Sequence, residues 1–144
     1  MFKMLTSWQI YALLSAFFAG LVAILAKIGI ANIPSNTATF IRTVIINIFL
    51  IFLISIRGEW VNPTTLNPRN LTFLILSGLA TGLSWICYFK ALQMGPASMV
   101  APIDKLSLIF AVVLAVLFLG EHLSLLQWSG VVLMTVGALL VGLK

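Results

Sequence analysis

Asp104 and Lys105 stand side by side in the stretch APIDKLS, eight and nine residues past Pro96. In a helix that opens at Pro96, a rise of 1.5 Å per residue places them about 12 Å along its axis. If that helix crosses a bilayer, this depth is close to the midplane. Ionisable groups there are costly and by default mark a substrate or ion path. Pro102 precedes them and has no N–H to donate to the Ser98 carbonyl, so that backbone oxygen loses its usual partner. A helix interrupted beside an acid and a base is the pattern of a transporter binding site. Successive residues point about 100° apart around a helix, so Asp104 and Lys105 are expected to find partners elsewhere rather than in each other. Ion pairs that only fix helix packing are the competing reading of the same two residues.

Two other cations fall within apolar runs. Lys27 ends a row of small residues at i+4 spacing, Ser15, Ala19 and Ala23. Such a row permits close helix approach or leaves room for a cavity. Lys27 could equally reach the headgroups by snorkelling. Arg42 lies deeper in its run, and with Lys27 it is a candidate to meet Asp104 or an anionic part of a ligand. Lys90 reads as a snorkelling residue. A polar and aromatic face recurs at i+3 or i+4 through Ser77, Thr81, Trp85 and Tyr88. Its indole N–H and phenol O–H need partners, from a wet cavity or from ordinary helix contacts. Gly78 and Gly82 form a small-xxx-small pair suited to helix packing. His122 reads as a solvated loop residue. Cys87, the one cysteine, reads as a small buried hydrophobe.

Enzyme motifs are missing. There is no Ser/His/Asp set, no metal-ligand cluster, no phosphate-binding loop and no carboxylate pair. Three acidic residues in 144 leave little for acid–base chemistry. No cofactor or metal is implied. The formal charge of +5 comes from scattered residues, which argues against a nucleic-acid partner and for a membrane.

The elements that position these groups follow from composition. The chain is 62% hydrophobic and 8% charged, against about a quarter charged in ordinary soluble domains. A soluble fold of this length could not hide so much apolar surface, so lipid must cover it. About 20 apolar residues cross the hydrocarbon layer as a helix. Five runs qualify: 8–30, 37–56, 71–92, 97–119 and 125–143. Breakers separate them: Pro34 with Asn32 and Asn36, then Gly58 with Pro63 and Pro68, then Gly95-Pro96, then Gly120. Thr6 with Gln9 and Ser124 with Gln127 read as capping boxes. Sheet is excluded because open strand edges cannot face lipid. The first run is too long for a signal peptide and reads as a retained helix. The expected fold is therefore an all-α integral membrane domain over residues 1–144.

Five spans put the two termini on opposite sides. Lys3, Arg57 and Arg69 fall on the N-terminal side, against Lys27, Lys90 and Lys144 on the other. The positive-inside rule needs an excess of Lys and Arg on the cytoplasmic side, and there is none. Either the first helix sets the orientation, or the chain inserts both ways and pairs with an inverted copy of itself.

The C-terminal half resembles an EamA domain of the drug/metabolite transporter superfamily. The resemblance runs from Tyr88 to Leu143. It is most specific in LGEHLS at Leu119–Ser124, QWSG at Gln127–Gly130 and VGALLVG at Val136–Gly142. Lys27 and Arg42 carry it, less specifically, into the first half. Five helices make one EamA repeat, and most members are tandem proteins of ten helices with inverted halves. The resemblance implies an antiparallel homodimer with a pathway between the copies, or a paralogue as the second half. It further implies small polar metabolites as cargo, moved by alternating access. Small multidrug exporters of the same superfamily carry a glutamate in the first helix. Here the only charge in that run is Lys27, which argues against proton-coupled export of cationic drugs. The positive excess of Lys27, Arg42 and Lys105 over Asp104 suits an anionic or zwitterionic solute. A flippase component for lipid-linked cargo and a non-transporting assembly subunit are the alternatives.

Overall fold

A computed structural model describes residues 7–142, which are helical apart from their joints. The elements are α1 (Ser7–Gly29), α2 (Ser35–Arg57), a 3-10 turn (Pro63–Thr65), α3 (Pro68–Met94), α4 (Ala97–Asp104), α5 (Ser107–Leu119) and α6 (Leu125–Gly142). Taking α4 and α5 as one run, five helices are long and apolar enough to cross a membrane. They match the five expected runs to within three residues at each described end. Thr6 of the first expected capping box, with Lys3, Leu143 and Lys144, lies outside the described residues.

The joints are built as the breakers require. Gly58 and Gly120 close α2 and α5 in the left-handed conformation, with φ of 65° and 66°. A residue with a Cβ is strained there, so glycine is the natural stop. The Glu59 and Glu121 N–H groups then donate back to the carbonyls of Ile54 and Ala115, satisfying acceptors that the helix end leaves open. Asn32 also sits at positive φ, 62°, a conformation asparagine tolerates better than most. Before α6 the capping box is formed in both directions. The Ser124 N–H donates to Gln127 Oε1 at 2.7 Å, and the Gln127 N–H donates to Ser124 Oγ at 3.3 Å.

The chain forms two compact units, one of residues 1–27 with 94–144 and the other of residues 28–93. In the first, α4 packs against α6. At Gly142 a Cβ would run into the side chain of Ile103. In the second, the end of α3 meets the joint before α2: Gln93 Nε2 donates to the Ile33 carbonyl at 2.6 Å. Phe89 and Leu92 of α3 are almost fully enclosed, at 1% and 0% exposure. The apolar residues α1, α2 and α3 present outward include Phe17, Phe18, Ile48, Phe52, Leu79 and Leu83. Burying such side chains stabilises by about 1.5–3 kcal/mol each, so a solvent of lipid, not water, is what this surface fits.

Candidate functional site

Pro102 lies inside α4, and α4 stops two residues later at Asp104. The chain then tightens. Lys105 and Leu106 donate three residues back, to the carbonyls of Pro102 and Ile103, at 3.0 and 2.9 Å. Leu108 and Ile109 do the same to Lys105 and Leu106, both at 3.0 Å. These are 3-10-type bonds, as is common at helix ends and connectors. The break expected at Pro102 is therefore present, displaced a turn downstream onto the charged pair itself.

Asp104 and Lys105 do meet, contrary to the expectation that each looks elsewhere. Lys105 Nζ lies 3.3 Å from Asp104 Oδ2. The 100° argument assumed a continuous helix, and here the helix ends between the two residues. A four-carbon lysine stem folds back over that interrupted turn. In the same unit, Lys27 reaches a backbone oxygen. Its Nζ donates to the Gly95 carbonyl at 2.8 Å. That oxygen belongs to the residue before Pro96, at the joint where α3 gives way to α4. The lysine is thus tied to a backbone acceptor at a joint, a contact that no spacing rule in the sequence signals.

The other unit holds the aromatic part. The Arg42 guanidinium carbon lies 5.0 Å from the ring centre of Trp85 and 5.0 Å from that of Phe89. Trp85 and Phe89 are one turn apart on α3, so both rings reach the same cation. Tyr88 and Phe89 pack edge to face, with centroids 6.2 Å apart. Trp85 was legible in the sequence as part of a polar face. Phe89 was not, because an apolar ring in an apolar run carries no separate signal. Its i+4 spacing from Trp85 was the available clue. The acid of this unit, Glu59, sits with Arg57 at 3.8 Å and not with Arg42. Stacking uses the faces of a guanidinium and leaves its in-plane N–H fork for a carboxylate or phosphate.

The remaining candidates are placed more plainly. Thr81 turns back on its own helix and donates to the Ser77 carbonyl at 2.9 Å. Gly78 and Gly82 meet no atom within 4 Å of where a Cβ would stand. Their close-packing face is open in the single chain. Among the described residues no group of three or more His, Cys, Asp or Glu side chains could hold a metal ion.

Five apolar spans with ionisable groups set along them define a multi-pass integral membrane protein of the cell membrane. The chain belongs to the EamA-like transporter family, whose profile matches residues 6–143. It is 51% identical over 134 residues to a Sinorhizobium protein named as an uncharacterized transporter in the cobO 3' region, covering 93% of this chain and 95% of that protein. An uncharacterized protein of Methanocaldococcus jannaschii is 30% identical over 135 residues, covering 94% and 96% of the two chains. The pseudopaline exporter of Pseudomonas aeruginosa is 24% identical over 138 residues, which are 96% of this chain and 47% of that one. No solved structure matches at a significant level.

Proposed function

We propose that this protein is a secondary transporter of small polar metabolites carrying a carboxylate or phosphate, working by alternating access as an antiparallel homodimer. The observation that carries the anionic substrate class is Arg42. Its cation lies over the rings of Trp85 and Phe89, while the acid of its unit is engaged by Arg57. A positive charge fixed by rings and not neutralised by a carboxylate of its own unit is a hook for an anion. Lys27 and the interrupted α4 supply a further cation and a flexible joint on the way across. Family membership and a relative named as an exporter support transport and argue against catalysis. Alignment with about half of that exporter supports a protein assembled from two such domains.

The test begins with a thermal-shift screen of the detergent-solubilised protein against amino acids and sugar phosphates. Flux of each stabilising compound is then measured in proteoliposomes. The expected result is stabilisation and uptake by compounds bearing a carboxylate or phosphate, lost in Arg42→Ala. Uptake restricted to cationic solutes, or unchanged in Arg42→Ala, overturns the anionic reading.

A further inference from the structure

Asn47 is a polar residue at the centre of an apolar helix. It is preceded by twelve residues of α2 and followed by ten, so a 1.5 Å rise places it about 18 Å from one end and about 15 Å from the other. In a hydrocarbon layer about 30 Å thick that is the midplane. The side chain is exposed on the chain. Among the described residues its amide makes no hydrogen bond, whereas Thr39, Thr43 and Ser55 of the same helix satisfy their hydroxyls on backbone carbonyls one turn back. An amide has two donors and an acceptor to place, so one backbone carbonyl cannot satisfy it. Left in lipid, each unmet group costs several kcal/mol. Its neighbours on the outward face, Val44, Ile48, Leu50 and Ile51, are exposed and apolar.

We infer that Asn47 pairs with Asn47 of a second, inverted copy, making the outward face of α2 a contact between the two chains. The inference rests on the inverted dimer proposed above and specifies where its axis runs. Two features select this occupant. A carboxamide is self-complementary: each side chain donates an N–H to the carbonyl oxygen of the other. A two-fold axis lying in the membrane plane also carries a residue onto its own copy only at mid-depth, because every other depth is exchanged with its mirror depth. Asn47 is the uncharged hydrogen-bonding side chain of α2 that occupies that depth. A polar residue at a single central position also sets register, as in helical coiled coils.

The test uses full-length protein in native membranes, with Cys87→Ala removing the endogenous thiol. Asn47→Cys is expected to form a disulfide-linked dimer on mild oxidation. Val44→Cys co-expressed with Leu50→Cys is expected to cross-link as a mixed pair, because residues three before and three after the centre face each other in an inverted pair. A Val44–Val44 link in the single variant without the mixed pair would show a parallel dimer and overturn the proposal. Asn47→Val should weaken dimerisation in lipid nanodiscs roughly tenfold, with Asn47→Gln retaining most of it. If wild type is dimeric in nanodiscs but Asn47→Cys gives no cross-link and Asn47→Val dimerises normally, the Asn47 contact is wrong while the dimer stands. A wild-type monomer in nanodiscs removes both.

Discussion

Arg42 lies over two rings one turn apart on α3, those of Trp85 and Phe89. A guanidinium over an aromatic face contributes about 0.5–2 kcal/mol. Arg42→Lys keeps the charge and loses both the stacking plane and the fork. The expected outcome is a rise of at least tenfold in KM for an anionic substrate, with the protein still folded, read from concentration-dependent uptake in proteoliposomes. Trp85→Leu removes one of the two rings and should raise KM by less than Arg42→Lys does. Asp104 has a different role: it holds Lys105 at a helix break. Asp104→Asn releases that lysine, and turnover is expected to fall while the spans remain assembled. Uptake equal to wild type would remove Asp104 from the transport cycle.

The elements differ in how firmly they are stopped and started. α6 begins at a complete capping box, and Ser124→Ala should lower stability by about 1 kcal/mol, seen as a reduced melting temperature in detergent. α4 ends two residues past Pro102, whose missing N–H leaves the Ser98 carbonyl without its helical donor. Pro102→Ala gives the Ser98 carbonyl its partner back and favours one straight helix across Asp104 and Lys105. The expected outcome is a higher melting temperature with slower flux, the result that the proposed alternating access requires of a break that bends. Faster flux in the straightened helix would contradict that role. Gly142 lets α6 come up against Ile103, next to the charged pair. Gly142→Leu overpacks this contact, at a cost of about 1–3 kcal/mol.

At the scale of the whole molecule, the proposed inverted homodimer requires insertion in both directions, and the three-to-three balance of Lys and Arg in the flanks and span ends sets no bias against it. Alkaline phosphatase and green fluorescent protein fusions at the C-terminus should both be active, since each reports one side of the membrane. Activity of one fusion alone would show a single orientation and remove the inverted homodimer. The small-residue face of α3 at Gly78 and Gly82 points into open space on the single chain, as a surface kept for another helix would.

The sequence by itself determined the number of spans, their ends and their solvent. Apolar run length, glycine and proline at the joints and the Ser124–Gln127 cap are local properties, and each reappears in the structure. It also singled out Lys27, Arg42, Asp104 and Lys105, because an ion at membrane depth is conspicuous whatever surrounds it. Partners were decided only by tertiary structure. Lys27 found a backbone oxygen 68 residues away at Gly95, and no residue type announces a free carbonyl. Arg42 found Phe89, whose ring looks like any other apolar side chain until a cation lies over it. Asp104 and Lys105 found each other, because the helix that would have held them apart ends between them.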